Sequence, residues 1–403
     1  MKYTRKSTQS TGQTTPLKSL RLLTSAPLAA LLAIGLLAAT GAVARAQNTV
    51  SFAGSNGANP YGRVTIDSSG NLYGTAQAGG ANSDGVVWKM AAGTHTISAV
   101  ASFNGTNGNT PYGGVAIDGS GNLYGTTYIG GANNDGVVWK IAAGTSTLTT
   151  VASFNGTNGM NPVAGVTIDG SGNLYGTARN GGGSGWGCIW KSASGSSTIT
   201  TVASFPFNGA SGINPYGGVT IDGSGNLYGT TYTGGANTDG VVWKVASGSS
   251  TITVIASFNG TNGANPYDGV TIDGSGNLFG TTYNGGANSD GTVWEIASGT
   301  STITTIASFN GTNGLNPSSD VKMDGAGNLY GTTTLGGASS AGTVWRIDSG
   351  TSTITTLASF NGGSTGSNPN SGVTIDSGGN LFGTTSLQGA NSDGTVYEIP
   401  RIP

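Results

Sequence analysis

Seven copies of one short phrase divide most of this 403-residue chain into units of nearly equal length. The phrase reads Ile-Asp-Gly-Ser-Gly-Asn-Leu-Tyr-Gly with small changes, and successive copies are 51, 51, 53, 51, 51 and 52 residues apart. A proline stands seven residues before each aspartate, and an aromatic residue stands 21 after it. The repeated aspartates are Asp67, Asp118, Asp169, Asp222, Asp273, Asp324 and Asp376. Offsets this constant predict a repeat architecture, in which each unit buries its apolar face against its neighbours.

Each unit predicts four short β-strands joined by tight turns. In the fourth copy, residues 219–222 form the first strand, and the Asp-Gly-Ser-Gly-Asn turn that follows suits positive φ angles and side-chain hydrogen bonds to the backbone. Asn-Leu-Tyr-Gly-Thr-Thr and Gly-Val-Val-Trp-Lys-Val predict the next two strands, and a segment rich in Thr, Ile and Val predicts the fourth. Four strands per unit indicate an all-β, seven-bladed β-propeller of four-stranded blades. A long antiparallel solenoid is the alternative.

The two ends of the repeat array predict how the ring closes. The seventh unit contains its first three strands, over residues 373–376, 380–385 and 394–399, but no fourth. Residues 48–52, with the sequence Asn-Thr-Val-Ser-Phe, match the end of a fourth strand. We therefore expect the N-terminal strand to complete the last blade, with Val50 beside the strand that contains Tyr397. Closure of this kind removes the exposed sheet edges of an open array.

The repeated pattern resembles a known family. Asp-Gly-x-Gly-Asn-Leu-Tyr-Gly-Thr-Thr, followed by Gly-Gly-Ala and then Asp-Gly-Thr-Val-Trp-Lys-Ile, is similar to the Gloeo/Verruco (GloVer) tandem repeat of exported bacterial proteins, across all seven units. The Asp-x-x-Gly-Asn-Leu-Tyr phrase is more distantly similar to NHL-type propeller repeats. The resemblance implies export but assigns no chemistry. Members of the family often carry a C-terminal sorting or anchoring signal, whereas this sequence ends Glu-Ile-Pro-Arg-Ile-Pro without an apolar tail.

Residues 1–46 have the organisation of an export signal. Six basic residues fall in this segment, an apolar run covers residues 22–44, and Ala-Arg-Ala precedes Gln47. We predict a signal peptide over residues 1–46, cleaved to leave residues 47–403 as one seven-repeat propeller, secreted or at the cell surface and without membrane contact. An uncleaved N-terminal anchor is the alternative, because the run approaches the length that spans a bilayer.

Composition excludes several classes of function. After residue 46 the chain has nine basic and 17 acidic residues, a net charge of −8, which disfavours nucleic acid as a partner. The single histidine, His95, and the single cysteine, Cys188, exclude an internal disulfide and any site that needs two histidines. We expect His95 at the surface and Cys188 buried. We predict no cofactor, and we expect a monomer.

Several repeated residues have both a structural and a functional interpretation. The repeated aspartate and the asparagine four residues later suit either a hairpin turn or a calcium site, and one carboxylate per loop favours the turn. A second aspartate set varies, with Trp186 and Ala341 in place of Asp, which suits a turn better than a ligand. The repeated tryptophans suit either a core between blades or sugar binding, and we expect the core.

Positions that differ among units carry the prediction of a binding site. Six residues before the repeated aspartate stand Tyr61, Tyr112, Val163, Tyr216, Tyr267, Ser318 and Asn370. Ten residues after it stand Gln77, Tyr128, Arg179, Tyr232, Tyr283, Thr334 and Ser386. Alternate connections of an up-and-down sheet lie at the same end, so both sets belong on one face of the disc. We predict that ligand binding uses Tyr112, Tyr128, Arg179, Trp186, Tyr216, Tyr232, Tyr267 and Tyr283. The alternative is that these tyrosines cover loop backbone.

Three functions remain open from the sequence. The first is a non-enzymatic binding module for glycan or protein ligands. The second is a structural component of the cell envelope or matrix. The third is a propeller glycosidase or lyase, and a glycosidase requires two facing carboxylates. The acidic residues outside the repeated positions are scattered over units five to seven and form no motif; they are Asp268, Glu295, Asp320, Asp348 and Glu398.

Overall fold

The computed structural model describes residues 48–401, and these residues form 28 strands in seven four-stranded antiparallel sheets. The predicted signal peptide lies outside the described residues. Each blade has a two-residue first strand, five-residue second and third strands, and an outer strand of four to six residues. This confirms the all-β, seven-bladed propeller.

The strands follow the repeats in chain order. They are β1 (Asn48–Ser51), β2 (Thr65–Ile66), β3 (Leu72–Ala76), β4 (Val86–Met90), β5 (Ile97–Ser102), β6 (Ala116–Ile117), β7 (Leu123–Thr127), β8 (Val137–Ile141), β9 (Leu148–Ser153), β10 (Thr167–Ile168), β11 (Leu174–Ala178), β12 (Cys188–Ser192), β13 (Thr200–Ser204), β14 (Thr220–Ile221), β15 (Leu227–Thr231), β16 (Val241–Val245), β17 (Ile252–Ser257), β18 (Thr271–Ile272), β19 (Leu278–Thr282), β20 (Thr292–Ile296), β21 (Thr304–Ser308), β22 (Lys322–Met323), β23 (Leu329–Thr333), β24 (Thr343–Ile347), β25 (Ile354–Ser359), β26 (Thr374–Ile375), β27 (Leu381–Thr385) and β28 (Thr395–Ile399). Blades 1 to 6 are β2–β5, β6–β9, β10–β13, β14–β17, β18–β21 and β22–β25.

The seventh blade joins the two ends of the chain. Its strand order is β1-β28-β27-β26, and β1 runs antiparallel to β28. Val50 lies opposite Val396, and Thr49 lies opposite Tyr397. The predicted closure by the N-terminal strand is therefore confirmed.

The core consists of apolar clusters that each combine residues of two adjacent blades. Phe205, after the last strand of blade 3, meets Trp243 of blade 4 edge to face, with ring centroids 5.9 Å apart. Both side chains are completely buried. Gly229 pairs with Trp243 across the sheet, and a β-carbon at Gly229 would lie 2.4 Å from the indole ring. Phe52 makes the same contact with Trp88 at 5.6 Å, so the core continues through the closure.

The repeated aspartates fasten the first hairpin of each blade. The Asp222 Oδ1 atom accepts hydrogen bonds from the backbone N–H groups of Ser224 and Asn226, each at 2.9 Å. Its Oδ2 atom accepts from the Asn226 amide at 2.7 Å and from the Tyr228 hydroxyl at 3.0 Å. The carboxylate is thus used by donors of its own hairpin, as the turn interpretation predicts.

The second aspartate set joins blades through its backbone. The Asp239 carbonyl oxygen accepts a hydrogen bond from the Asn265 N–H of the next blade at 2.7 Å. Trp186 and Ala341 use their carbonyl oxygens in the same way, towards Asn214 and Asn368. Because the bond needs no side chain, this position tolerates tryptophan and alanine.

The first strands surround the axis of the ring. Thr65 donates its hydroxyl to the Val115 carbonyl of the next blade at 2.5 Å, and Thr374 donates to Val64 across the closure. Cys188 is completely buried, and burial raises the pKa of its thiol to about 12. His95 is exposed, as expected. Within residues 48–401 no helix has the length and apolar character that would let it cross a membrane.

Candidate functional site

A cavity of about 550 Å³ lies on the axis of the ring. Most of its wall comes from the segment that leads into the first strand of each repeat, and Tyr128 and Arg179 join it from the ends of second strands. All seven blades contribute to it, from Tyr61 in blade 1 to Asn370 in blade 7. Aromatic and charged side chains that are distant in sequence therefore face one space.

Seven tyrosines form two groups beside this cavity. The first group, from blades 1 and 2, is Tyr61, Tyr112 and Tyr128, with neighbouring ring centroids 5.4 and 5.3 Å apart. The second group, from blades 4 and 5, is Tyr216, Tyr232, Tyr267 and Tyr283, with ring contacts between 4.9 and 6.0 Å. The two predicted sets thus lie on one face. Within each group the rings contact one another across neighbouring blades.

The hydroxyls of these seven tyrosines form no hydrogen bond with any described residue. By contrast, the hydroxyl of Tyr228 in strand β15 donates a hydrogen bond to Asp222. Burial raises the pKa of Tyr267, and neighbouring tyrosines add to the effect. The pKa values of Tyr112 and Tyr216 are raised by burial too. Tyr112, Tyr216 and Tyr267 therefore remain neutral at neutral pH, and each of these hydroxyls is available as donor and acceptor.

Arg179 of blade 3 lies between the two tyrosine groups. Its guanidinium carbon lies 4.6 Å from the centroid of the Tyr216 ring. Burial raises the pKa values of Tyr112, Tyr216 and Tyr267, and the positive charge of Arg179 partly offsets that rise. Blade 3 has Val163 where its neighbours have tyrosine, which leaves room for the arginine. No described residue forms an ion pair or hydrogen bond with this guanidinium, and its Nε atom is buried without a partner.

A charged cluster lines the same cavity. Arg63 of blade 1 forms an ion pair with Asp320 of blade 6, Nη1 to Oδ2, at 2.6 Å, and donates through Nη2 to the Val373 carbonyl at 3.3 Å. Asp268 of blade 5 accepts hydrogen bonds from the N–H groups of Gly269 and Asp320, at 2.7 and 3.0 Å. Burial and the adjacent Asp320 carboxylate raise the pKa of Asp268.

This cluster corrects one conclusion from the sequence. Asp268 and Asp320 form no sequence motif, yet the ring brings them together with Arg63, which sequence reasoning missed. A signal was present: Arg63 and Asp320 both stand four residues before the repeated aspartate, where the other five units have glycine. Lys322 also departs from the repeat, and burial and the Arg63 charge lower its pKa. Glu295, Asp348 and Glu398 do not line the cavity.

Blades 6 and 7 give the cavity a polar side without aromatic rings. Ser318 and Thr334 share a hydroxyl hydrogen bond at 2.8 Å. The Asn370 amide donates to the Ser386 hydroxyl at 2.8 Å. These small side chains use their polar groups on one another, so the aromatic wall is confined to one side.

The predicted residues divide into three sets. Tyr112, Tyr128, Arg179, Tyr216 and Tyr267 line the cavity. Tyr232 and Tyr283 lie just behind, against the Tyr267 ring. Trp186 lies apart, with its ring 6.2 Å from that of Phe207, and the two are 36% and 79% exposed. Among residues 48–401 no three carboxylate, imidazole or thiol side chains meet as ligands for a metal ion.

The profile of the Gloeobacter/Verrucomicrobia repeat matches residues 38–224 and 216–401. No curated protein sequence matches the chain.

Among solved structures, the extracellular domain of a one-component system from B. thetaiotaomicron is 12% identical and has a TM-score of 0.54, and the match covers 88% of this chain and 40% of that chain. TolB from Acinetobacter baumannii is 11% identical, with a TM-score of 0.46 and coverages of 73% and 65%. A protein described as a 6-phosphogluconolactonase from Bacteroides uniformis is 12% identical, with a TM-score of 0.49 and coverages of 78% and 88%. At 12% identity, the likeness to the first of these structures indicates a shared fold alone. The chain spans less than half the length of the first of these three.

Proposed function

The chain belongs to the Gloeobacter/Verrucomicrobia repeat family, and on that premise we propose that it is an exported, non-enzymatic propeller that binds a glycan in its axial cavity. One observation carries the proposal: five tyrosines line one cavity and two more lie just behind them, and the hydroxyls of all seven have no partner among the described residues. Aromatic rings offer flat apolar surfaces for the faces of sugar rings, while hydroxyls exchange hydrogen bonds with sugar hydroxyls.

Substitution of tyrosine by phenylalanine tests this use of the hydroxyls. The triple variant Tyr112→Phe, Tyr216→Phe, Tyr267→Phe keeps the ring contacts but removes three hydroxyls. Net hydrogen bonds contribute about 1 kcal/mol each, so the loss of three should lower the affinity about 100-fold. The melting temperature should change little, because these hydroxyls bind no protein group. Binding is measured on a glycan array and then by calorimetry with the glycan that the array selects.

A matched control uses tyrosines whose hydroxyls already have partners. Tyr73→Phe, Tyr124→Phe and Tyr228→Phe each remove a hydrogen bond to a turn aspartate. This triple variant should lose stability and retain affinity. Unchanged glycan affinity in the cavity variant would contradict the proposal. If the array gave no signal with wild-type protein, the alternatives of a protein ligand or a structural role in the envelope would be favoured.

The pair Asp268 and Asp320 favours a second candidate, a glycosidase or lyase. Both carboxylates border the cavity, and the pKa of Asp268 is raised, as that of a general acid must be. Both are, however, held by protein donors, Asp320 by Arg63 and Asp268 by two backbone N–H groups. We therefore propose that they shape the cavity. Release of reducing sugar from an array-selected glycan, lost in Asp268→Asn, would support the enzyme instead.

A further inference from the structure

We propose that Arg179 binds a sugar carboxylate, so that the ligand of the axial cavity is an acidic glycan that contains uronate residues. This inference rests on the proposed function and specifies its substrate class. Arg179 is a cation that borders the cavity, and no carboxylate among the described residues pairs with it. The terminal nitrogens of a guanidinium form a planar fork that matches the two oxygens of a carboxylate.

The position of Arg179 is set before any ligand arrives. The guanidinium carbon lies 4.6 Å from the centroid of the Tyr216 ring, a cation–π contact that favours this position of the side chain and reduces the entropy lost when a carboxylate binds. Tyrosines flank it on both sides, in blade 2 and in blades 4 and 5. A sugar ring against either group would bring a carboxylate on that ring to Arg179.

The other charged groups of the cavity favour a sugar ligand with one carboxylate per ring over one with a phosphate dianion or several sulfates. Arg63 is already paired with Asp320, and Asp268 adds a second acidic group. Lys322 lies near Arg63 and Asp320. One unpaired arginine, with the Asp268 carboxyl in the same wall, suits one negative charge per sugar better than a phosphate dianion or several sulfates. Neutral sugars would leave Arg179 unpaired.

The proposal is tested with trisaccharides of galacturonate, glucuronate, mannuronate and guluronate, each compared with its neutral methyl ester. Affinities are measured by calorimetry at low and at physiological salt. For at least one of the four, we expect the acid to bind tenfold or more tightly than its ester and to weaken as salt rises. Arg179→Gln should remove this difference by lowering affinity for the acid, with the ester unaffected. Arg179→Lys should lose part of it, because an ammonium keeps the charge but lacks the fork.

Arg346→Gln is the matched control. Arg346 also lies over a tyrosine, 5.8 Å from the Tyr330 ring, but it pairs with Asp348 and is not part of the cavity wall. Replacement of Arg346 should change neither the affinity for the acid nor the affinity for the ester. Melting temperatures establish that each variant is folded.

The outcomes separate this inference from the proposed function. If acids and esters bind equally, and the cavity phenylalanine variant weakens both, the glycan site stands and the role of Arg179 is wrong. Tighter binding of a sulfated trisaccharide, or binding of triglutamate and of no uronate, would also overturn the inference. If no acid binds while a neutral glycan from the array does, the inference fails alone. If no glycan of either kind binds, both proposals fail.

Discussion

At the scale of single residues, side chains that maintain the fold can be separated from those that are free to bind. The turn aspartates use both carboxylate oxygens within their own hairpins. The aspartates of the second set act through backbone carbonyl groups, and two units replace them. Tyr112 and Arg179 bring polar groups to the cavity that no described residue uses. This division identifies the cavity residues as those whose substitution should affect binding more than stability.

Replacement of one turn aspartate should weaken the fold at neutral pH more than at acidic pH. Burial acts to raise the pKa of Asp222, but hydrogen bonds from Asn226, Ser224 and Tyr228 outweigh it and lower the pKa. A carboxyl group whose pKa is lower in the folded state stabilises the fold at pH values above its unfolded-state pKa of about 3.9. This stabilisation is lost as the pH falls through the pKa of the folded state. Asp222→Ala should cost about 2 kcal/mol at pH 7, with a smaller difference from wild type near pH 3. Urea unfolding at both pH values measures this.

The matched variant for that prediction is Tyr228→Phe, since blade 5 has Phe279 at the same repeat position. It removes one donor and leaves three, so its cost at pH 7 should be smaller than that of Asp222→Ala. Equal costs at pH 3 and pH 7 for Asp222→Ala would show that the carboxylate charge does not contribute.

Much of the site, Arg179 included, could be predicted from individual residues, but the meeting of Arg63 with Asp320 could not. Strand direction alternates within a blade, and this predicts that Tyr112 and Tyr128 lie on one face of the disc. Arg63 and Asp320 meet only because blades 1 and 6 face the same axial cavity of a closed ring, and its width cannot be read from the repeat. Trp186 was grouped with the tyrosines by face, but distance from the axis separates it from them.

At the scale of strands, the contact between blades depends on three repeated residues. An indole of the third strand lies over a glycine of the second, and a phenylalanine that follows the preceding blade meets it edge to face. Blade 7 replaces the indole with Tyr397, whose ring centroid lies 5.1 Å from that of Phe360. The arrangement therefore accepts a smaller ring where a glycine is retained beneath it.

Trp243→Ala should cost about 3–5 kcal/mol, because it removes a completely buried aromatic side chain. Trp243→Tyr should cost much less, since it reproduces the arrangement of blade 7. Guanidinium unfolding monitored by circular dichroism gives both values. A tyrosine variant as unstable as the alanine variant would mean that Tyr397 depends on features particular to its own blade.

At the scale of the whole molecule, the repeat period and the strand pattern were sufficient to predict seven blades. The unmatched fourth strand of the last unit predicted closure, which the pairing of β1 with β28 confirms. The first strands proved shorter than their apolar patterns suggested. They have two residues each because the segment before them turns towards the cavity instead of continuing the ladder.

Deletion of residues 48–52 should destabilise the entire ring. It removes β1 and Phe52, which is completely buried against Trp88, so the loss should be at least about 3–5 kcal/mol. Thermal unfolding measures the change. Fusion of the deleted Asn-Thr-Val-Ser-Phe segment after Pro403 through a short glycine-serine linker should restore most of the stability, because it supplies the fourth strand from the other end. A deletion variant that melts like the full chain would contradict closure.

The cavity wall takes its side chains from separate copies of one unit, and this has an evolutionary consequence. Duplication of a unit copies the aspartate, glycine, tryptophan and phenylalanine that any blade needs, together with whichever wall residues the parent carried. Later substitutions at the two variable positions then alter one sector of the wall and leave the scaffold intact. If the proposed function holds, recombination between copies would exchange ligand preference sector by sector without altering the residues that every blade needs to fold.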